Sequence, residues 1–195
     1  MRRALFTLAL AGGLGCAKPN MEVLHILRPM EPASATPPLP RSSLALEIMP
    51  VRLPESLQRP QLVIEISPGA LKLLEAQRWG NGLDKDLQRV LNENLTLLTG
   101  SQAVVPFPYG ERAKATHRLE VDVHRLDGAP GGTLTLQATW MVTRPQGGPA
   151  LLLRRTTLQR PIQGPDAEAI VAAHNLILGD LSQVIAVELK GLGSD

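Results

Sequence analysis

With 195 residues, 20 basic and 18 acidic side chains, and no Lys/Arg run interleaved with aromatics, the chain has room for one sizeable domain and no electrostatic footprint for nucleic acid. A single cysteine excludes a disulfide framework and a cysteine-based metal site. Aromatic residues make up 3% of the chain, so the core must be built from Leu, Val, Ile and Ala.

The chain opens on Arg2 and Arg3, followed by an almost unbroken small and apolar run from Ala4 to Leu14 that closes at Gly15-Cys16. A positive start, an apolar run too short to span a bilayer, and a small residue before cysteine make up the layout of a bacterial lipoprotein signal. On that reading the signal is removed before Cys16, whose thiol carries a diacyl group with chains such as palmitate. Two features pull the other way. Gly13 stands three residues before the cysteine, where a typical lipobox has leucine, and Ala9-Leu10-Ala11 offers an ordinary A-x-A cleavage site. The second route would leave a soluble periplasmic protein with a free thiol, but it shrinks the apolar region to Ala4–Leu8. A buried structural cysteine is the third reading, and the glycines before Cys16 do not favour it. Loss of Arg2 and Arg3 leaves roughly 180 residues with balanced charge, enough for a real core. The expected division is a signal peptide at 1–15, a lipidated spacer at 16–22 and a single domain at 23–195.

Val23 to Leu27 reads as a short strand closed by Arg28-Pro29, and the proline-rich stretch at 29–42 reads as an extended, solvated loop. Ser43 to Ile48 predicts a second strand, ended by Pro50, and Arg52 to Arg59 a loop or single turn. Gln61 to Ile66, rich in β-branched residues and bracketed by Pro60 and Pro68, predicts a third strand. After the Ser67-Pro68-Gly69 turn, Ala70 to Ala76 returns as a strand, although its composition equally suits a helix. From Leu83 the period changes: Leu83, Leu87, Val90, Leu91, Leu95 and Leu98 fall at helical spacing, with Asp84 and Asp86 at the start and Gly100 at the end. Asn94-Leu95-Thr96 matches a glycosylation sequon only by chance, inside that helix.

Ala103 to Val105 predicts a short strand leading into Pro106-Phe107-Pro108-Tyr109. Leu119, Val121 and Val123 then alternate with charged residues, and Leu134, Leu136, Ala138, Trp140 and Val142 alternate with Thr and Gln, which is half-buried antiparallel character. With Leu151 to Gln159 they form a three-stranded meander. A helix from Pro165-Asp166 to about Leu189 carries an apolar stripe of Ile170, Val171, His174, Ile177, Leu178, Leu181, Val184 and Ile185. Strands grouped around two main helices, without regular βαβ alternation, indicate a single α+β domain with a largely antiparallel sheet. After the signal, no stretch approaches the roughly 18 consecutive apolar residues of a membrane span.

Catalytic signatures are missing. His117 and His124, seven residues apart on one strand, point to opposite faces and cannot form a local metal pair. His174 sits on an apolar stripe as a structural histidine, and the acidic residues are scattered singly on polar faces. No H-E-x-x-H, G-x-S-x-G, Walker or dinucleotide fingerprint occurs. The expectation is a non-enzymatic protein without metal or cofactor, apart from the lipid on Cys16.

Three short segments stand out together. His25-Ile26-Leu27-Arg28-Pro29, Arg59-Pro60-Gln61-Leu62-Val63 and Arg78-Trp79-Gly80-Asn81-Gly82-Leu83 occur in this order. The chain resembles the PqiC (YmbA) family of ABC-type transport auxiliary lipoproteins, whose slots read Y-x-L-x-P, R-P-Q-[IV]-V and R-W-A-E-P-L. The match departs at Gly80, Asn81 and Gly82. The resemblance implies an outer-membrane lipoprotein facing the periplasm, a partner of a mammalian-cell-entry (MCE) domain protein in an ABC-type lipid-transport system, and a homo-oligomeric ring. Ala17 after the cysteine, rather than Asp, fits outer-membrane delivery. Arg78 and Trp79 are the family-specific candidates for partner binding, set against a packing role for a tryptophan at a strand-to-helix junction. Phe107 and Tyr109, held between prolines, are candidates for exposed partner contacts. A lipoprotein scaffolding another envelope-assembly machine is the alternative function, and a soluble periplasmic enzyme the third.

Overall fold

A computed structural model describes residues 21–32, 44–108 and 114–192. In chain order the elements are β1 (Val23–His25), β2 (Ala45–Ile48), a 3-10 turn (Glu55–Leu57), β3 (Gln61–Ser67), β4 (Ala70–Trp79), α1 (Leu83–Thr99), β5 (Ala103–Pro106), β6 (His117–Gly128), β7 (Thr133–Thr143), β8 (Leu152–Pro161) and α2 (Ala167–Leu192). They form a single α+β domain.

The expected meander is present. β6, β7 and β8 pair antiparallel in sequence order, with Val121 opposite Trp140 and Ala138 opposite Thr156. Leu134, Leu136, Ala138, Trp140 and Val142 are all buried on one face of β7. β6 holds its alternation only to Val123. His124 has no register partner between the Val123–Ala138 and Arg125–Gln137 pairs, so this bulge shifts the buried set to Leu126 and Gly128. β8 is an edge strand, with Arg154, Arg155 and Pro161 exposed along it, a composition that discourages pairing with another chain.

The strands divide between two sheets rather than one. The larger has the order β5-β2-β6-β7-β8 and the smaller β1-β4-β3. β2 lies parallel to both β5 and β6, and β1 parallel to β4, while the long ladders remain antiparallel. Parallel neighbours need a crossover connection, and here the β3–β4 hairpin followed by α1 supplies it between β2 and β5. That hairpin thereby becomes the nucleus of the second sheet. The sheets are joined by Glu65 of β3, which accepts from Arg125 of β6 at 2.9 Å.

Both helices cover the sheets' apolar faces. α1 buries Leu83, Leu87, Val90, Leu91 and Leu95, and Gly100 ends it in the left-handed conformation with its N–H on Thr96 O. α2 starts where Asp166 Oδ1 accepts the Ala169 N–H at 2.8 Å, a side-chain cap of the first turn. Its stripe is buried except for Val184, which lies at the margin and is 36% exposed. By length and composition α2 is apolar enough to cross a bilayer, yet it is mostly buried within the domain, packed on α1, β7 and β8. Trp140, 1% exposed, fills the centre of the larger sheet, and its indole N–H donates to Thr156 Oγ1 at 3.0 Å.

Candidate functional site

The three sequence segments of the resemblance meet at one place. Trp79, the last residue of β4, donates its backbone N–H to Pro60 O at 2.8 Å, and Gly80 donates to His25 O at 2.7 Å. His25 and Trp79 are also register partners in the β1–β4 ladder. Residues more than fifty positions apart in sequence are thus tied within two successive peptide units.

A polar scaffold fixes the first segment onto the helices. Asp86, 1% exposed, accepts from the Leu27 N–H at 3.0 Å, from Asn81 Nδ2 at 3.1 Å and from Arg89 Nη2 at 3.1 Å, while Arg89 also donates to Leu27 O. Asn175 Oδ1 accepts from the Arg28 N–H at 2.9 Å. Asn94 Oδ1 accepts from the Met30 N–H at 2.8 Å, and its amide donates to Ser182 Oγ. The sequon asparagine is therefore an interior structural residue, 1% exposed. In the first turn of α1, Asp86 complements the helix dipole. Its larger service is to pair backbone groups of an incoming segment that has no sheet neighbour there. Gly179 leaves room for Met30, since a Cβ at 179 would stand 3.2 Å from Met30 Cγ.

Beside this junction lies an open cleft of about 690 Å³. Leu57, Pro60, Trp79 and Leu83 contribute apolar surface, and Arg52, Arg59, Asp84 and Lys85 contribute charge. Arg52 is held by Glu120 and Asp122, each at 3.3 Å, whereas Arg59 is exposed and has no ion-pair partner among the described residues. At the mouth, Gly82 precedes α1 with φ +83, a backbone conformation open to glycine and closed to proline. The family's proline at this slot is thus replaced here by a residue that turns the chain differently into the helix.

The site residues inferred from sequence separate. Trp79 is 5% exposed; its ring lies edge-on to His174, with centroids 5.4 Å apart and planes at 63°. Arg78 points to the other side of β4, pairs with Glu22 at 3.0 Å, and has a buried Nε without a partner among the described residues. Phe107 follows β5 and is 43% exposed, outside the cleft lining. Tyr109 and Cys16 lie outside the described residues. His174 donates its Nδ1–H to the Ile170 carbonyl, 2.8 Å away, and burial lowers its pKa to about 4 against the opposing pull of that bond. The ring, 3% exposed, packs among Trp79, Leu83 and Leu126. His117 and His124 do lie on opposite faces of β6, and among the described residues no three potential metal ligands come together. What sequence reasoning missed is the Asp86–Asn94–Asn175 scaffold. Its signal was present, since Asp86 and Asn94 are separated by eight residues on one helix and share the face of Leu87, Val90 and Leu91.

A family model for the ABC-type transport auxiliary lipoprotein component matches residues 25–186. The chain belongs to this family. No curated protein sequence matches at a significant level. Among solved structures, the family member is similar to an uncharacterized protein at 20% identity and TM-score 0.70, covering 87% of this chain and 99% of the other. It is also similar to a Xanthomonas campestris protein of the DUF330 family at 17% identity and TM-score 0.66, covering 84% and 90%. At such identities these likenesses bear on the fold alone. The matched span starts at His25 and so takes in all three segments that meet at Trp79–Gly80 beside the cleft.

Proposed function

We propose that this auxiliary lipoprotein is a non-enzymatic docking component of an MCE/ABC-type intermembrane lipid-transport system. It is anchored to the outer membrane through acylated Cys16 and faces the periplasm. The meeting of the three segments at Trp79–Gly80, beside an open cleft lined by two of them, carries the reading, because the backbone bonds there shape a surface rather than bring reacting groups together. Arg59 and Lys85 at the cleft rim, with Trp79 in its wall, form the surface for an MCE-domain partner; Phe107, exposed outside the cleft, is a separate candidate contact, with Tyr109 two residues on in sequence. No cofactor enters this function beyond the lipid, and a homo-oligomeric ring would multiply the contact around a conduit.

Envelope pull-down with the full lipidated chain tests the reading. Recovery of an MCE-domain protein supports it, and recovery of a cell-wall synthase without an MCE protein would transfer the chain to a different envelope machine. Palmitate labelling that persists in Cys16→Ser would remove the anchor from the proposal.

A further inference from the structure

We propose that the outward face of the β1 segment is a membrane-contact surface, lying on the phospholipid headgroups of the leaflet that holds the acyl chains of Cys16. The inference rests on Cys16 as the lipid-bearing residue and goes further by orienting the domain. From Leu24 to Arg28 the extended chain alternates, with His25 and Leu27 buried while Leu24, Ile26 and Arg28 face outward. Leu24 is 66% and Ile26 49% exposed, and Met21, just upstream, is 81% exposed. They neighbour one another, since a Cβ at Gly80 would touch both Ile26 and Leu24. Arg78, register partner of Leu24, lies on this side of the sheet with its charge paired to Glu22 at 3.0 Å. Apolar side chains beside the outward-facing Arg28 suit the boundary between acyl chains and anionic or zwitterionic headgroups.

Chain length selects this occupant over others. Five residue steps separate Cys16 from Met21 and can span at most about 17 Å, so the start of the domain stays within reach of the headgroup layer. The segment is not free to peel away and let the domain swing outward. Leu27, Arg28 and Met30 are bonded through their backbone N–H groups to Asp86, Asn175 and Asn94 on the two helices. A short tether joined to a rigidly docked segment brings the exposed face of that segment to the bilayer.

The test uses the full lipidated chain in phosphatidylethanolamine/phosphatidylglycerol vesicles. Because Cys16 is the only native cysteine and its thiol is acylated, cysteines introduced by Leu24→Cys, Ile26→Cys or, as a distant control on α2, Val187→Cys each take a single nitroxide. All three positions are exposed, and matching thermal unfolding curves verify that the variants fold. In floated protein, labels at 24 and 26 should show several-fold lower accessibility to a water-soluble nickel chelate, relative to oxygen, than the label at 187. Equal accessibility at all three positions in floated protein overturns the membrane face and leaves the anchor standing. Protection that appears only at high protein density, with spin–spin coupling between copies, overturns it in favour of a second copy of the chain. Protection that requires an added MCE-domain protein overturns it in favour of that partner. Protein that fails to float and shows a free Cys16 thiol overturns the anchor and this proposal together.

Discussion

His174 shows how one buried side chain ties packing to solution conditions. Its folded pKa of about 4 lies below the ordinary imidazole value of about 6.5 because desolvation penalises the charged ring. Between those values the unfolded chain binds a proton that the folded chain does not. The corresponding stability, about 3 kcal/mol, is therefore complete above about pH 6.5 and lost as pH falls toward 4. His117, lowered by its own burial and then by Arg144, acts in the same direction. Urea midpoints followed down this range should fall steeply for the native chain and less steeply for His174→Gln; parallel declines would assign the acid sensitivity to other groups. Gly82 is the second residue whose character is local. With φ +83, Gly82→Ala should cost about 1–2 kcal/mol, and Gly82→Pro more, because its ring fixes φ near −65°. Thermal unfolding of the two variants checks the order.

Among the elements, the segment from Val23 to Met30 has the least pairing of its own and depends on its neighbours. β1 is three residues long, and beyond it the backbone is satisfied by carboxylate and amide side chains rather than by a strand. Removing the acceptor in Asp86→Ala strands the Leu27 N–H, the Asn81 amide and one arm of Arg89, for a loss of about 3 kcal/mol. Asp86→Asn retains one acceptor oxygen and should lose less. Faster amide exchange at Leu27, Arg28 and Met30 in Asp86→Ala, with the β6–β7 ladder still protected, would identify release of this segment rather than global loosening. The bulge at His124 works at the same scale. One extra residue re-aims the second half of β6, so that both Val121 and Leu126 reach the core despite their odd separation.

For the molecule as a whole, the cleft and the tether divide the work. Arg59 and Lys85 are exposed rim residues, so the double substitution Arg59→Glu/Lys85→Glu should leave stability within about 0.5 kcal/mol while reducing capture of the MCE-domain partner. Unfolding curves and envelope pull-down, measured on the same preparation, separate the two effects. Undiminished capture would move the docking surface away from the cleft.

Read from the sequence alone, the periodic elements were legible because side-chain alternation and helical spacing are local consequences of burying one face. α1 from Leu83 to the Gly100 cap, the Thr-rich β7 and the long α2 all followed from pattern. The family was legible too, through three short segments whose spacing carried no geometric meaning until folded. Only the tertiary structure decided that those segments close on one another through Trp79, Pro60, His25 and Gly80. Only it split the strands between two sheets, because parallel pairing joins residues distant in sequence and leaves no local trace. Burial likewise separated residues that sequence had grouped: Trp79 turned inward onto His174 while Arg78, its neighbour, turned outward beside Leu24. Pattern reports which face of an element is apolar; what that face meets is settled by long-range packing.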